Sequence, residues 1–276
     1  MQEEKLVLKP TMVSEVSTEI LSAMRAEKQI PLISDRGMGI DITDAYKIAY
    51  EIEKKRIIAG EKLVGLKIGF TNRTIWKEYN AEAPILGAMY DTTVLPIEKS
   101  FSLDGLIEPR IEPEIIFKIG KEPKKGMTLK QLLDCISHVS HGFEIVQSIF
   151  KDWKFKTVDT IAAFGLHGAL IYSPFVEVSK SSSEDWLKAL SSFKISLSCN
   201  GELVDEGISS NVLDKGPLGA LHYILNDKKL GREVHLRPGD LITTGTLTKA
   251  FPIRAGEVWS TELSGIDLLG IKIHLS

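Results

Sequence analysis

The stretch that most constrains this chain is "IEPRIEPEIIFKI", residues 107 to 119. Taken with a period of two, Ile107, Pro109, Ile111, Pro113, Ile115, Phe117 and Ile119 share one side, while Glu108, Arg110, Glu112, Glu114 and Lys118 share the other. That alternation predicts a strand with one buried face, so any fold must offer a sheet packed on one side here. Two prolines suit an edge position, where a missing ladder donor matters least. The polar side allows two readings. On an antiparallel strand one face is often wet, which would leave the glutamates solvated. Alternatively Glu112 and Glu114, roughly 6 to 7 Å apart by strand geometry, converge on a hard cation that relieves their repulsion.

The remaining pattern places this strand in a β-rich α+β chain. Val13, Val16, Ile20, Leu21 and Met24 follow helical spacing, as do Ala45, Ile48, Ala49 and Ile52 after a "DITD" start that Asp41 or Thr43 can cap. "PLISDRGMGID" between them predicts a loop, so residues 1 to about 60 form a helical N-terminal region and 61–276 the main domain. From "KLVGLKIGF" onward, short strands are expected at 63–70, 111–119, 142–148, 169–173, 193–199, 241–246 and 270–275. Helices are expected at 128–139, 183–191 and 217–226, with "SKSSSED" as a loop and helix cap. The strands and helices do not alternate regularly, which argues against a Rossmann fold or an α/β barrel.

Composition narrows function mainly by exclusion. With 276 residues, 43% hydrophobic, 26% charged and a net charge of -3, the chain has the makings of an ordinary globular core and no electrostatic bias toward nucleic acid or membrane surfaces. Cys135 and Cys199 stand apart in apolar contexts and predict reduced thiols rather than a zinc site or disulfide framework. "MQEEKLVLKP" lacks the long apolar core of a secretory signal, so a cytoplasmic location is expected.

A third acid bears on the opening question. Glu144 in "HGFEIVQS" sits among Phe143, Ile145 and Val146, a buried-strand context in which a lone carboxylate costs several kcal/mol unless it pairs with a base or binds a metal. In "LVGLKIGFT", alternation sends Lys67 out between Gly65 and Gly69. Either this is a snorkelling surface lysine, or the glycines clear room for a substrate against an ammonium that stabilises negative charge or shuttles a proton. "TTGTLT" around Gly245 is either a Thr-rich hairpin or a set of hydroxyls and amides that hold a carboxylate. His138, His141 and His167 are candidate acids or bases, although a lone histidine is more often structural.

The ordered set "GLKIGFT", "PRIEPEIIFKIG", "GFEIVQS", "PLGALHYILN", "PGDLITTGTLT" and "IRAGE" resembles the fumarylacetoacetate hydrolase superfamily, from about residue 30 to the end. Within it the chain is most similar to the group holding 2-oxopent-4-enoate hydratases and 4-oxalocrotonate decarboxylases. The resemblance implies a mixed β-sandwich roll preceded by helices, and a homo-oligomer. It also implies a Mg2+ or Mn2+ ion on Glu112, Glu114 and Glu144, a catalytic Lys67 and a substrate-binding segment Gly245, Thr246, Leu247 and Thr248. Glu108 receives no role. Two departures stand out. Pro84-Ile85-Leu86-Gly87 is nearer the decarboxylase pattern P-I-x-G than the hydratase P-D-x-G. Where the group carries A-D-N-x-S-S, this chain has Ala162-Ala163-Phe164-Gly165-Leu166-His167, a more apolar wall with a titratable His167 as a further catalytic candidate. The expected activity is a metal-dependent lyase on 2-oxo or 2-hydroxy dienoic acids, with the hydratase ahead of the decarboxylase. An acylpyruvate hydrolase is less favoured, because no H-x-x-E follows the first strands, and a non-catalytic keto-acid binder would need an inert metal site.

Overall fold

The computed structural model describes residues 8–73, 76–79, 81–213, 215–227 and 230–276. Two helices lead. α1 (Pro10–Arg25) starts on its proline and buries Val16, Ile20 and Ala23. α2 (Ile42–Ile58) is capped by Asp41, whose side chain accepts from the Asp44 N–H at 2.9 Å, and it buries Ala45, Ile48, Ala49 and Ile52. These apolar positions are the ones the helical spacing predicts.

After α2 the chain runs β1 (Leu63–Gly69), a short α3 (Trp76–Tyr79), β2 (Ile85–Tyr90), β3 (Val94–Pro96), β4 (Ser100–Phe101) and β5 (Arg110–Ile119). Next come α4 (Leu129–Leu133), β6 (Ile136–Val146), α5 (Thr157–Ala162), β7 (His167–Tyr172) and β8 (Val176–Glu177). The last third holds α6 (Ser183–Ser192), β9 (Lys194–Cys199), β10 (Glu202–Ile208), α7 (Gly216–Asn226), β11 (Leu241–Thr243), β12 (Phe251–Pro252), β13 (Val258–Ser264) and β14 (Lys272–Leu275). The larger sheet has the order β2-β1-β11-β5-β6-β7-β3, with β12 added to β5 and β8 to β6; the smaller has the order β10-β9-β13-β14-β4. Both mix parallel and antiparallel pairs.

Ile111, Phe143, Ile145, Ala169 and Ile171 from the larger sheet pack on Leu197, Trp259, Ile271 and Ile273 from the smaller. A second core joins α1, α2, α5, α6 and α7 to β1, β2 and the far end of β5. Among the described residues no helix is long and apolar enough to cross a membrane, and Cys135 and Cys199 are free thiols.

Three expectations change. The helix expected at 128–139 stops at Leu133, and Ile136 onward is strand. Leu132, Leu133, Ile136 and Val139 do have helical spacing, but pairing of Ile136–Val146 along the whole of β5 outweighs that local preference. β5 is not an edge strand, since it lies between β6 and β11. Pro113 is tolerated because its carbonyl, and with it its missing N–H, faces the gap between β11 and β12, where only the Leu247 N–H bonds it at 3.0 Å. The short strands β10 and β13 fell outside the expected set, as "ELVDEGI" and "VWSTELS" carry too few apolar residues for a clear period and are recruited by pairing with β9.

Candidate metal centre and active-site cavity

Strand register builds the base of the site. β5 and β6 pair antiparallel with Glu112 directly opposite Glu144 and Glu114 opposite Gly142. Like charges facing each other across a ladder are destabilising, yet Glu114 is 1% and Glu144 0% exposed. Carboxylate oxygens of Glu112, Glu114 and Glu144 all lie within 4.8 Å of one another. The solvated reading therefore holds only for Glu108, which is exposed and precedes the strand.

Lys67 supplies a buried counter-charge. It is 3% exposed, and its Nζ lies 2.9 Å from Glu144 Oε2. The snorkelling surface lysine is thus replaced by a buried ion pair. Of the two glycines flanking it in sequence, only Gly69 borders the cavity and the Lys67 stem. A Cβ on Gly65 would stand 1.9 Å from the Leu241 carbonyl oxygen, so Gly65 is needed for the close approach of β11 and clears nothing for a substrate. A Cβ on Gly87 would sit 2.2 Å from the Phe164 carbonyl oxygen and 3.0 Å from Lys67 Cγ, and one on Gly165, next to Gly87, would sit 3.2 Å from Lys67 Cδ.

Hydrogen bonds from neighbouring groups fix the carboxylates. The Gly245 N–H donates to Glu114 Oε2 at 2.8 Å, and His167 Nδ1–H donates to Glu144 Oε1 at 2.9 Å while its Nε2 lies 3.0 Å from Thr93 Oγ1. His167 is 1% exposed and stands behind Glu144, outside the cavity lining. His141 is equally enclosed, bonding the Glu114 carbonyl at 2.9 Å and Thr261 Oγ1 at 2.8 Å, which ties β6 to the smaller sheet. His138 meets Phe175 edge-on.

Electrostatics follow from this enclosure. Burial, only partly offset by Lys67, and repulsion from Glu144 push the Glu112 carboxyl up to about 7. Burial and repulsion from Glu144 and Glu112 hold Glu114 well above the usual carboxylate range. For Glu144 burial also acts upward, but Lys67 and His167 outweigh it and its pKa is lowered. Burial would lower the Lys67 ammonium, but the three carboxylates outweigh it and raise its pKa. Burial lowers His167 against the pull of Glu144, and takes His141 down to about 4, so both favour the neutral ring.

Glu112 and Glu114 open into a cavity of about 420 Å³, with Glu144 enclosed behind them. Lys67, Glu112, Glu114, Gly245, Thr246 and Thr248 line its polar part, and Ile68, Ile85, Val146, Phe155 and Leu166 its apolar wall. Leu247, the remaining member of the expected substrate segment, turns its side chain into the core instead. Arg110, Trp153 and Lys249 also border the cavity, and the sequence reading passed over them. Arg110 had a legible signal, since it falls on the glutamate side of the β5 alternation. Trp153 had none, because its loop carries no period.

Three clustered carboxylates, two buried and one half-buried, with one nearby ammonium suit a hard divalent cation better than a soft one. Fold and site together define a class: a β-rich protein with a carboxylate triad at the base of a cavity. The chain belongs to the fumarylacetoacetate (FAA) hydrolase C-terminal family, which it matches over residues 79–273. It is 28% identical over 259 residues, 93% of each chain, to a 2-keto-4-pentenoate hydratase of Paraburkholderia xenovorans (strain LB400). To a 4-oxalocrotonate decarboxylase of Pseudomonas sp. (strain CF600) it is 26% identical over 239 residues, covering 86% of this chain and 87% of that one. Its fold, mixed α/β with curled sheets, matches 4-oxalocrotonate decarboxylase from Pseudomonas putida G7, solved with magnesium and adipate, at a TM-score of 0.88 with 23% identity, covering 98% of this chain and 99% of that chain.

Proposed function

We propose that the protein is a divalent-metal-dependent lyase of 2-oxo and 2-hydroxy dienoic acids from aromatic catabolism, a hydratase of the 2-oxopent-4-enoate type. The observation that carries this reading is the convergence of Glu112, Glu114 and Glu144 beside Lys67 at the base of one cavity. The names of the full-length relatives support the same chemistry.

In this reading Glu112, Glu114 and Glu144 hold the ion, Mg2+ or Mn2+. When bound, it supplies a Lewis acid for the carboxylate and 2-oxygen of the substrate. Lys67 moves the proton at the far carbon of the dienol and stabilises the negative charge that develops. Gly245, Thr246 and Thr248 shape the wall against the substrate head. His167 acts by orienting Glu144 rather than by touching substrate. Ile85 and Leu166 keep bulk water from the reacting carbons, and one water adds to the conjugated ketone.

The second reading is a 4-oxalocrotonate-type decarboxylase, in which the same electron sink takes the electrons released with CO2. Ile85 at the cavity wall favours it, because the hydratase pattern puts an acid there. Supplying the Mg2+-loaded protein with both substrates, and following loss of dienol absorbance against release of CO2, separates the two; turnover of neither sinks both. The same reading takes residues 1–60 as a helical N-terminal region on a sandwich-roll domain at 61–276, in a cytoplasmic homo-oligomer. A single-chain mass in light scattering would refute the oligomer.

A further inference from the structure

We propose that Asn211 is a positioning residue for substrate binding: from outside the cavity, its side-chain amide holds the segment 245–248 in the shape that receives the substrate head. This inference rests on the 2-oxo acid reading above.

That segment is anchored at every second residue. The Gly245 N–H donates to Glu114 Oε2 at 2.8 Å, the Leu247 N–H to the Pro113 carbonyl at 3.0 Å, and the Lys249 N–H to Asp205 Oδ2 at 3.1 Å. The residues between them, Thr246 and Thr248, line the cavity. Leu247 is the central anchor, with its side chain buried in the core and its N–H tied to β5. Its carbonyl is held from the β10 side, where the Asn211 Nδ2–H donates to it at 2.8 Å.

The chain after β9 is shaped to reach that carbonyl. A Cβ on Gly207 would stand 2.2 Å from the Leu247 carbonyl oxygen, so only glycine lets β10 come this close. Asn211 then closes a short 3-10 turn, Ser209–Asn211, that is fixed on both flanks. The Ser209 N–H donates to the Phe193 carbonyl at 3.0 Å, and the Leu213 N–H to the carbonyl of the cavity residue Thr71 at 3.0 Å. Ser209 and Val212 are buried. An amide held in this way sets where the Leu247 carbonyl lies rather than following it.

Asn211 is not among the residues that line the active-site cavity. It borders a separate open cavity of about 530 Å³, together with Lys194, Ser196, Glu206 and Glu262. Any effect of its side chain on the substrate therefore passes through Leu247. The amide is half-buried, and the second cavity has room beside it for a side chain one methylene longer.

The test compares Asn211→Leu, which keeps the size and removes the donor, with Asn211→Gln, which keeps the amide. An unreactive probe, 2-oxohexanoate, is titrated calorimetrically into the Mg2+-loaded protein, and Mn2+ is titrated separately into the metal-free protein. Asn211→Leu should weaken the probe about 10-fold, as expected for a carbonyl left without its donor. Mn2+ affinity should not change, because the three carboxylates are untouched, and Asn211→Gln should recover at least part of the lost probe affinity. Should Asn211→Leu fail to fold, Asn211→Asp has the same shape without the donor and gives the same reading. Parallel loss of Mn2+ and probe affinity that Asn211→Gln does not recover overturns the proposal, since Asn211 would then support the fold as a whole. Normal probe binding in the unaltered protein that neither Asn211→Leu nor Asn211→Asp weakens defeats this inference alone. Failure of the unaltered protein to bind the probe defeats the 2-oxo acid reading and this inference with it.

Discussion

The base and the mouth of the cavity carry charge under different conditions. At the base, Lys67, Glu114 and Glu144 are 3%, 1% and 0% exposed, and every partner of each is another buried group. Glu112, beside them, is half-buried; at the mouth, Arg110 is half-buried and Lys249 is exposed. Removing one member of an enclosed pair strands the other, at a cost of about 3–5 kcal/mol. A rim charge is screened by water and can be exchanged at little cost. The base is therefore one electrostatic unit, and the mouth is a set of separable charges.

The sharpest break of that contrast is Lys67→Met, which keeps the stem packed against Gly87 and Gly165 and deletes the charge. Turnover should fall by roughly 10^2 to 10^4, while Mn2+ titration still shows binding. Full activity would remove Lys67 from the chemistry. Next in size is Glu114→Gln. Loss of one anionic ligand should weaken Mn2+ binding at least as much as loss of an outer-shell partner, about 10- to 100-fold, with activity partly restored by high Mg2+. Unchanged Mn2+ affinity would mean that Glu114 is no ligand.

A pH experiment examines the base as a unit. In metal-free protein Glu112 has its carboxyl raised from the ordinary 4.5 to about 7, and Glu114 is raised as well. Between those values the folded state holds carboxyl protons that the unfolded chain has released, which acts to lower stability as pH rises from about 4.5 to about 7. Glu144, lowered instead, adds stability above its depressed folded value, which is complete by its ordinary 4.5 and so does not alter that window. His141 and His167, both lowered, act in the opposite sense up to their ordinary 6.5 and do so with or without the ion. Saturating Mg2+ should remove only the carboxyl contribution, since the ion takes the place of those protons, so the stabilisation it gives should grow as pH rises. Melting temperatures across this range, with chelator and with Mg2+, give the answer; parallel curves would contradict the coupling. The smallest effect belongs to Lys249→Ala, which should shift stability in thermal melts by no more than about 0.5 kcal/mol. A loss of several kcal/mol would erase the distinction between base and rim.

Much of the site was legible because it lies on strands. A period of two is visible in sequence, so the shared side of Glu112 and Glu114, the buried setting of Glu144 and the projection of Lys67 could all be read from neighbours. What strand β6 would pair with was not legible. Its first residues satisfy a helical spacing, and only the partner β5 decides otherwise. Gly65 was misread for a related reason, as the atom that excludes a side chain there belongs to Leu241, far along the chain.

By itself the sequence determined which side chains could carry chemistry and which face of each strand they share, because alternation is local and set by backbone geometry. Tertiary structure alone decided their company. It set Glu112 across from Glu144, laid the Lys67 stem against Gly87 and Gly165, placed His167 behind Glu144 rather than in the cavity, and turned Leu247 into the core. Those outcomes depend on register and close approach between segments distant in sequence, and no local pattern encodes a distance to a residue far along the chain.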